Sequence, residues 1–247
     1  MTASLGQKSG PNLVVRLIKT YPMELILAVL ILILVFTAPG FPTLRNLLNV
    51  LRTVSMLGII AFAMTAVIIA GEIDLSVGAG AALAGCIVAW FAGALDDSLG
   101  GTTAVIIGFA VAMLVGFSVG FSVGKFRQWF NVPSFISTLA LFTALRGAAN
   151  LITGGFPLTT FPTWFGFVGG GYLFGIPFPV YLFILSFAGM HFLMNYTSFG
   201  RAVYAVGGNM EAARLSGIDI WWVKSMTLGI TGAATALSGT LIASQIG

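Results

Sequence analysis

The chain has 247 residues, of which 58% are hydrophobic and only 7% charged. A soluble domain carries roughly 25% charged residues, so there is too little charge here to coat a water-facing surface, and too much apolar content for a disordered chain. The 11 Lys and Arg against 7 Asp and Glu leave a net charge of +4. These positives are scattered between apolar stretches and form no patch for nucleic acid. In a membrane protein such an excess sets orientation instead.

Formal charges divide the chain. Residues 25–44, 53–71, 75–95, 98–124, 128–145, 147–200 and 225–247 carry none. A hydrocarbon core of ~30 Å needs about 20 helical residues, so most gaps fit one helix. Barrel strands would show ~10-residue stretches of alternating polarity, which these continuous apolar runs do not. In chain order the pattern predicts helices over 23–38, 53–71, 77–95, 102–123, 132–153, 177–194 and 224–244. The fold class is all-α: a polytopic membrane bundle of about seven transmembrane helices, forming one domain over residues 1–247.

The first apolar stretch follows Lys19 and Glu24 and ends at Thr37-Ala38-Pro39. Proline after the small residue makes a poor leader-cleavage site, so this stretch reads as an uncleaved anchor. Next, Phe41 to Arg52 carries Leu44, Leu47, Leu48 and Leu51 at helical spacing, which suits a short amphipathic segment in the interface. Between Thr153 and Pro177 the chain is broken by glycines and prolines. Its rings (Phe156, Phe161, Trp164, Phe165, Phe167, Tyr172, Phe174) suit the headgroup level.

Lys8, Arg16, Lys19, Lys125, Arg127, Arg201, Arg214 and Lys224 fall in one set of alternate loops, Arg45 and Arg52 in the other. The richer set is expected to be cytoplasmic. That places the N-terminal segment, residues 1–22, inside and Asp96 and Asp97 outside. Arg146 lies within a helix, where it either snorkels to the interface or lines a cavity.

A single cysteine, Cys86, and a single histidine, His191, leave no disulfide, no metal cluster and no His-based triad. Cys86 reads as core packing and His191 as a solvated or capping group. Gly116, Gly120 and Gly124 recur every four residues, which favours close helix packing. Gly120 to Phe126 has the wrong spacing for a P-loop and lacks its hydroxyl. The chain therefore shows no site for ATP and no cofactor. Any ATP that drives it is expected on a separate subunit.

Two places break the apolar pattern. In Gly71-Glu72-Ile73-Asp74-Leu75-Ser76-Val77-Gly78, carboxylates two apart cannot share a helix face. They suit either a cytoplasmic turn, with Asp74 and Ser76 capping the next helix, or a partly buried break near a transport path. The second place is the polar connection 195–223. Gly207-Gly208 makes a turn, Asn209 is an N-cap, Glu211 sits where the helix dipole favours a carboxylate, and Gly217 is placed as a C′ residue. The result is a helix of about two turns bearing Ala212-Ala213, too short to be stable without packing against something.

Glu211-Ala212-Ala213 with Gly217 resembles the Glu-Ala-Ala loop of ABC-importer permeases. Gly200-Arg201, Tyr204 to Asn209 and Ala212 to Ile218 resemble more narrowly the ribose/xylose/galactose type. The Gly71–Gly78 stretch is similar to that family's Gly-Gly-Ile-Asp-Leu-Ser-Val-Gly, departing at Glu72, and Val132 to Leu139, Leu145-Arg146-Gly147 and Thr153-Gly154-Gly155 resemble its fifth-helix region. Members of the family run longer, so the resemblance implies a chain lacking the C-terminal membrane segments.

The resemblance implies a permease subunit, not an enzyme, moving a monosaccharide or similar small polar solute across a bacterial inner membrane. The implied partners are cytoplasmic ATPase subunits docking at Gly208, Asn209, Glu211, Ala212, Ala213 and Gly217, a second and identical permease, a periplasmic sugar-binding protein and membrane lipid. The translocation region is expected around Glu72, Asp74, Ser76, Gly78 and Arg146. A competing reading makes the chain an ion-coupled secondary transporter using Glu72 and Asp74. A membrane enzyme lacks a nucleophile–base set. A reporter fused after Lys125 is expected to be active only on the cytoplasmic side, and periplasmic activity there would reverse the whole topology.

Overall fold

A computed structural model describes residues 18–247. Lys8 and Arg16 lie outside them. The helices are α1 (Pro22–Thr37), α2 (Leu44–Ile69), α3 (Val77–Ala94), α4 (Asp96–Leu99), α5 (Gly101–Phe130), α6 (Ser134–Thr153), α7 (Phe165–Gly170), α8 (Phe178–Tyr196), α9 (Ser198–Gly208), α10 (Met210–Leu215) and α11 (Ile220–Ile246). A two-stranded antiparallel hairpin, β1 (Tyr172–Leu173) and β2 (Ile176–Pro177), lies between α7 and α8. Among the described residues six helices (α2, α3, α5, α6, α8 and α11) are long and apolar enough to span a membrane. The shorter apolar α1 has 16 residues, or about 24 Å at 1.5 Å per residue.

The chain divides into two compact units, residues up to Asn49 and residues from Val50 onward. In the first, α1 buries none of its side chains. The Thr43 hydroxyl accepts from Asn46 N–H at 3.3 Å, capping α2, and Asn46 Nδ2 donates to the Phe41 carbonyl at 2.9 Å. The leucine-spaced stretch ending at Arg52 is not a separate interfacial segment. It is the first part of α2, because the leucine spacing runs in phase into the apolar span and no proline interrupts it.

The second unit is built on α3, α5 and α11. Their shared core holds Ala79, Leu83, Val88, Val105, Ala112 and Ala236, joined by Leu145 and Ala149 of α6. The residues are small because the backbones are close. A Cβ on Gly116 would strike the Gly232 carbonyl of α11, one on Gly120 the Leu228 carbonyl, and one on Gly124 the Ser225 backbone. The four-residue glycine row is therefore the α5 contact with α11. Along α11 the buried hydroxyls of Thr227, Thr231 and Thr240 return to carbonyls of their own helix, at 2.8, 2.9 and 2.9 Å. Ser238 crosses to the Met56 carbonyl of α2 at 2.7 Å.

At the other end of α11, Ser244 Oγ accepts from Gly169 N–H at 2.7 Å and donates to the Phe165 carbonyl at 2.5 Å. This seats α7 on α11, where a side chain at Gly169 would collide with the Leu241 carbonyl. Phe165 is thus core, at 2% exposure, rather than an interfacial ring, whereas Phe174 is 91% exposed. Arg52 is also buried at this end. It donates to the Gly170 carbonyl at 2.9 Å and lies over the Tyr172 ring.

Gly120→Ala is expected to cost about 1–3 kcal/mol, the usual penalty for overpacking. Gly147→Ala, which meets nothing within 4 Å, is expected to cost nothing. Unfolding in detergent checks both, and equal stability of the two variants would remove the close-contact argument.

Candidate functional site

The inner part of the site begins where α2 ends. Gly71 takes a φ of +75°, open to glycine at little cost. Its N–H donates to the Ile68 carbonyl and Glu72 N–H to the Val67 carbonyl, both at 3.0 Å, a Schellman closure. The glycine of the resembled motif is replaced by Glu72, but the left-handed residue is Gly71, so the turn survives.

From Glu72 to Ser76 the backbone is irregular, with Glu72, Asp74 and Ser76 buried and Ile73 and Leu75 exposed. Irregular backbone that is buried needs its hydrogen bonds completed by protein. The Ser134 hydroxyl accepts from Ile73 N–H at 3.2 Å, and the Thr138 hydroxyl accepts from Leu75 N–H at 3.1 Å. The first turns of α6 thus hold the break in place. The stretch is a partly buried break between α2 and α3.

Glu72, 2% exposed, receives two cations. Lys224 Nζ near the start of α11 is 2.8 Å from Oε1, and Arg127 near the end of α5 pairs with Oε2. The Arg127 guanidinium also lies 6.0 Å from the Trp221 ring centroid. One carboxylate therefore gathers the ends of three long helices. Arg127 and Lys224 had been visible only as orientation charges, and their meeting with Glu72 agrees with assigning these three ends to one side.

Ser76 does not cap α3. Its N–H and hydroxyl donate to Asp74 Oδ1 at 2.8 and 2.6 Å, so the aspartate closes the turn and the serine is its donor. Burial raises the Asp74 pKa, and the Ser76 hydrogen bonds oppose that rise. Gly78 faces elsewhere, lining a cavity of about 570 Å³ with Cys86, Asn150 and Phe156. Arg146 lies on the exposed face of α6, so the fold brings together only Glu72, Asp74 and Ser76 of that expected set.

The second part of the site follows α8. Thr197 caps α9, accepting from Gly200 N–H at 3.2 Å. Gly207-Gly208 does not turn; α9 runs through both. Gly207 is required there because a Cβ would strike the Ile69 carbonyl at the end of α2. Asn209 makes the break, its Oδ1 accepting from Ala212 N–H at 3.0 Å. Gly217, with a φ of +82°, closes α10 by the same Schellman pattern, Ile218 N–H to the Ala213 carbonyl at 3.1 Å. Only Ala213 of the alanine pair is buried, packed with Val203, Val206, Ile220 and Val223. Met210, Glu211, Ala212, Arg214 and Leu215 are exposed. Arg214 donates to Glu211 Oε1 at 2.6 Å, and that hydrogen bond and charge raise the pKa of its guanidinium.

Residues 46–247 match the family model described as branched-chain amino acid transport system / permease component. The chain is 40% identical to the ribose import permease protein RbsC of Bacillus subtilis, over 89% of this chain and 67% of that one. It is 38% identical to the probable ABC transporter permease protein YphD of Escherichia coli, over 94% and 68%. To the L-arabinose ABC transporter permease protein AraH of Azospirillum brasilense it is 33% identical, over 94% and 66%. The chain thus spans about two thirds of the length of these relatives. No solved structure matches.

Glu72→Gln is expected to destabilise the fold by about 3–5 kcal/mol, because it strips a buried cation of its counter-charge. Adding Lys224→Met is expected to restore much of that loss. A double variant no more stable than Glu72→Gln alone, by unfolding in detergent, would show that the pair does not carry the cost.

Proposed function

Because the chain belongs to the branched-chain amino acid transport system / permease component family, and is an ATP-binding-cassette permease rather than an ion-coupled secondary transporter, we propose that it forms part of the membrane path for a monosaccharide or similar small polar solute. Ribose and L-arabinose in the names of its relatives support that cargo. The reading places the chain in a bacterial inner membrane, N-terminus cytoplasmic, with a second copy beside it, lipid around it and a periplasmic sugar-binding protein outside. Cytoplasmic ATPase subunits hold the nucleotide, and this chain performs no catalysis.

The observation that carries the reading is α10. It is a capped, six-residue helix whose Ala213 is buried in the bundle while Met210, Glu211 and Leu215 are exposed. Such a short helix has no stability of its own. Its packing onto α9 and α11 makes it a rigid knob that an ATPase can hold through an acidic group flanked by apolar side chains. A push on α10 reaches α11 through Ile220 and Val223. It reaches α2 through α9, whose Gly207 abuts Ile69. Glu72 then links the moved end of α2 to α5 and α11. Closure of the ATPases thereby rocks the spans between outward- and inward-open arrangements.

Glu211→Lys reverses the charge of the knob, and Gly217→Arg puts a side chain where φ is +82°. Each is expected to lower sugar uptake and transport-stimulated ATP hydrolysis at least tenfold while leaving the protein in the membrane. Unchanged uptake and hydrolysis in both variants would end the coupling role.

A further inference from the structure

A cavity of about 30 Å³ lies where α3, α5, α6 and α11 meet, lined by Asp74, Gly80, Gly116, Gly120, Leu145 and Thr235. Three polar side chains line it, all nearly inaccessible: Asp74 is 5%, Ser76 6% and Thr235 3% exposed, and the Ser76 hydroxyl is engaged with Asp74. The Thr235 hydroxyl has no hydrogen-bond partner among the described residues. That departs from the habit of its own helix, where Thr231 and Thr240 bond the carbonyl four residues back. Asp74 accepts both Ser76 hydrogen bonds on one oxygen, Oδ1. It takes part in no ion pair among the described residues.

We propose that Asp74 and Thr235 form a buried hydration site, in which the Asp74 carboxyl keeps a resident proton and shares water with the Thr235 hydroxyl. A water needs about 10–15 Å³ measured this way and two or more polar partners, so the cavity has room for about two. Apart from Ser76, whose hydroxyl is spent on Asp74, the remaining walls are glycines and aliphatic side chains. They supply far fewer oxygens than the six or so that a hard cation requires.

The neighbouring charges are accounted for. Glu72 is two residues away, and the cations facing it, Arg127 from α5 and Lys224 from α11, both close on it. From α6 come only the hydroxyls of Ser134 and Thr138, both engaged with the backbone. A buried carboxylate without a counter-charge is costly, and accepting a proton removes that cost. The rise in the Asp74 pKa caused by burial has the same sign. A raised acid favours the folded state at low pH, and that contribution is lost as pH rises through the folded-state pKa. The proton is structural, and import does not consume it.

The test is infrared spectroscopy of the full chain in lipid, with isotope label in the aspartate side-chain carboxyls. Of the four aspartates, Asp96, Asp97 and Asp219 are exposed, so a protonated one at neutral pH reports Asp74 without any variant. The expected result is an isotope-shifted carboxylic-acid band that responds to heavy water and is absent from Asp74→Asn. The unfolding midpoint of the unaltered protein is expected to fall toward alkaline pH, with a smaller fall in Asp74→Asn. Absence of the band at neutral pH overturns the proposal. So does a band or midpoint that shifts when sodium or potassium is added at constant ionic strength, which would assign the cavity to a cation.

Discussion

Irregular backbone persists beside a membrane core only where protein groups complete its hydrogen bonds, and the six residues from Gly71 to Ser76 are organised by that requirement. Gly71 reverses the chain, Ser134 and Thr138 take up two of the exposed N–H groups, and Asp74 takes up another from Ser76. The charge that the break carries inward, on Glu72, is answered from α5 and from α11. The end of α2, the end of α5 and the starts of α6 and α11 are thereby brought to one place.

Much of this architecture is legible in the sequence because it is local. Charge-free stretches mark the spans, the glycine row marks a close crossing, and Asn209 and Gly217 bracket α10 through bonds to residues no more than five positions away. Apart from the local Ser76–Asp74 turn, what escaped depends on distant chain segments. The expected helix boundaries stopped at charges, yet α5 runs on past Lys125 and Arg127, and α11 begins before Lys224. A charge that will be paired inside the bundle need not end a helix, and the identity of its partner appears only when three helix ends meet. Phe165 was misplaced for the same reason: its ring counts as interfacial until Gly169 allows α7 to lie against α11.

The two parts of the site are mechanically one. α10 is locally specified but cannot stand alone, and its anchor is the cluster of Ala213 with Val206, Ile220 and Val223. The same residues neighbour Ala66 and Ala70, at the end of the helix that leads into Glu72. Under the proposed coupling role, an external grip on α10 would act on the charge cluster through packed side chains and helix ends, because protein interiors compress little.

The glycine-lined crossing of α5 and α11 has a bearing on how such a displacement travels. There is almost no side-chain thickness between the two backbones at Gly116, Gly120 and Gly232, so the two helices are in close backbone contact. The pair behaves as a single doubled strut, and α11, at 27 residues, is about 40 Å long. Tilting its base near Lys224 must swing its tip near Ser244, and the aromatic segment pinned there by Gly169 swings with it. In the proposed mechanism one stiff member would thus carry to one end of the bundle a movement begun at the other.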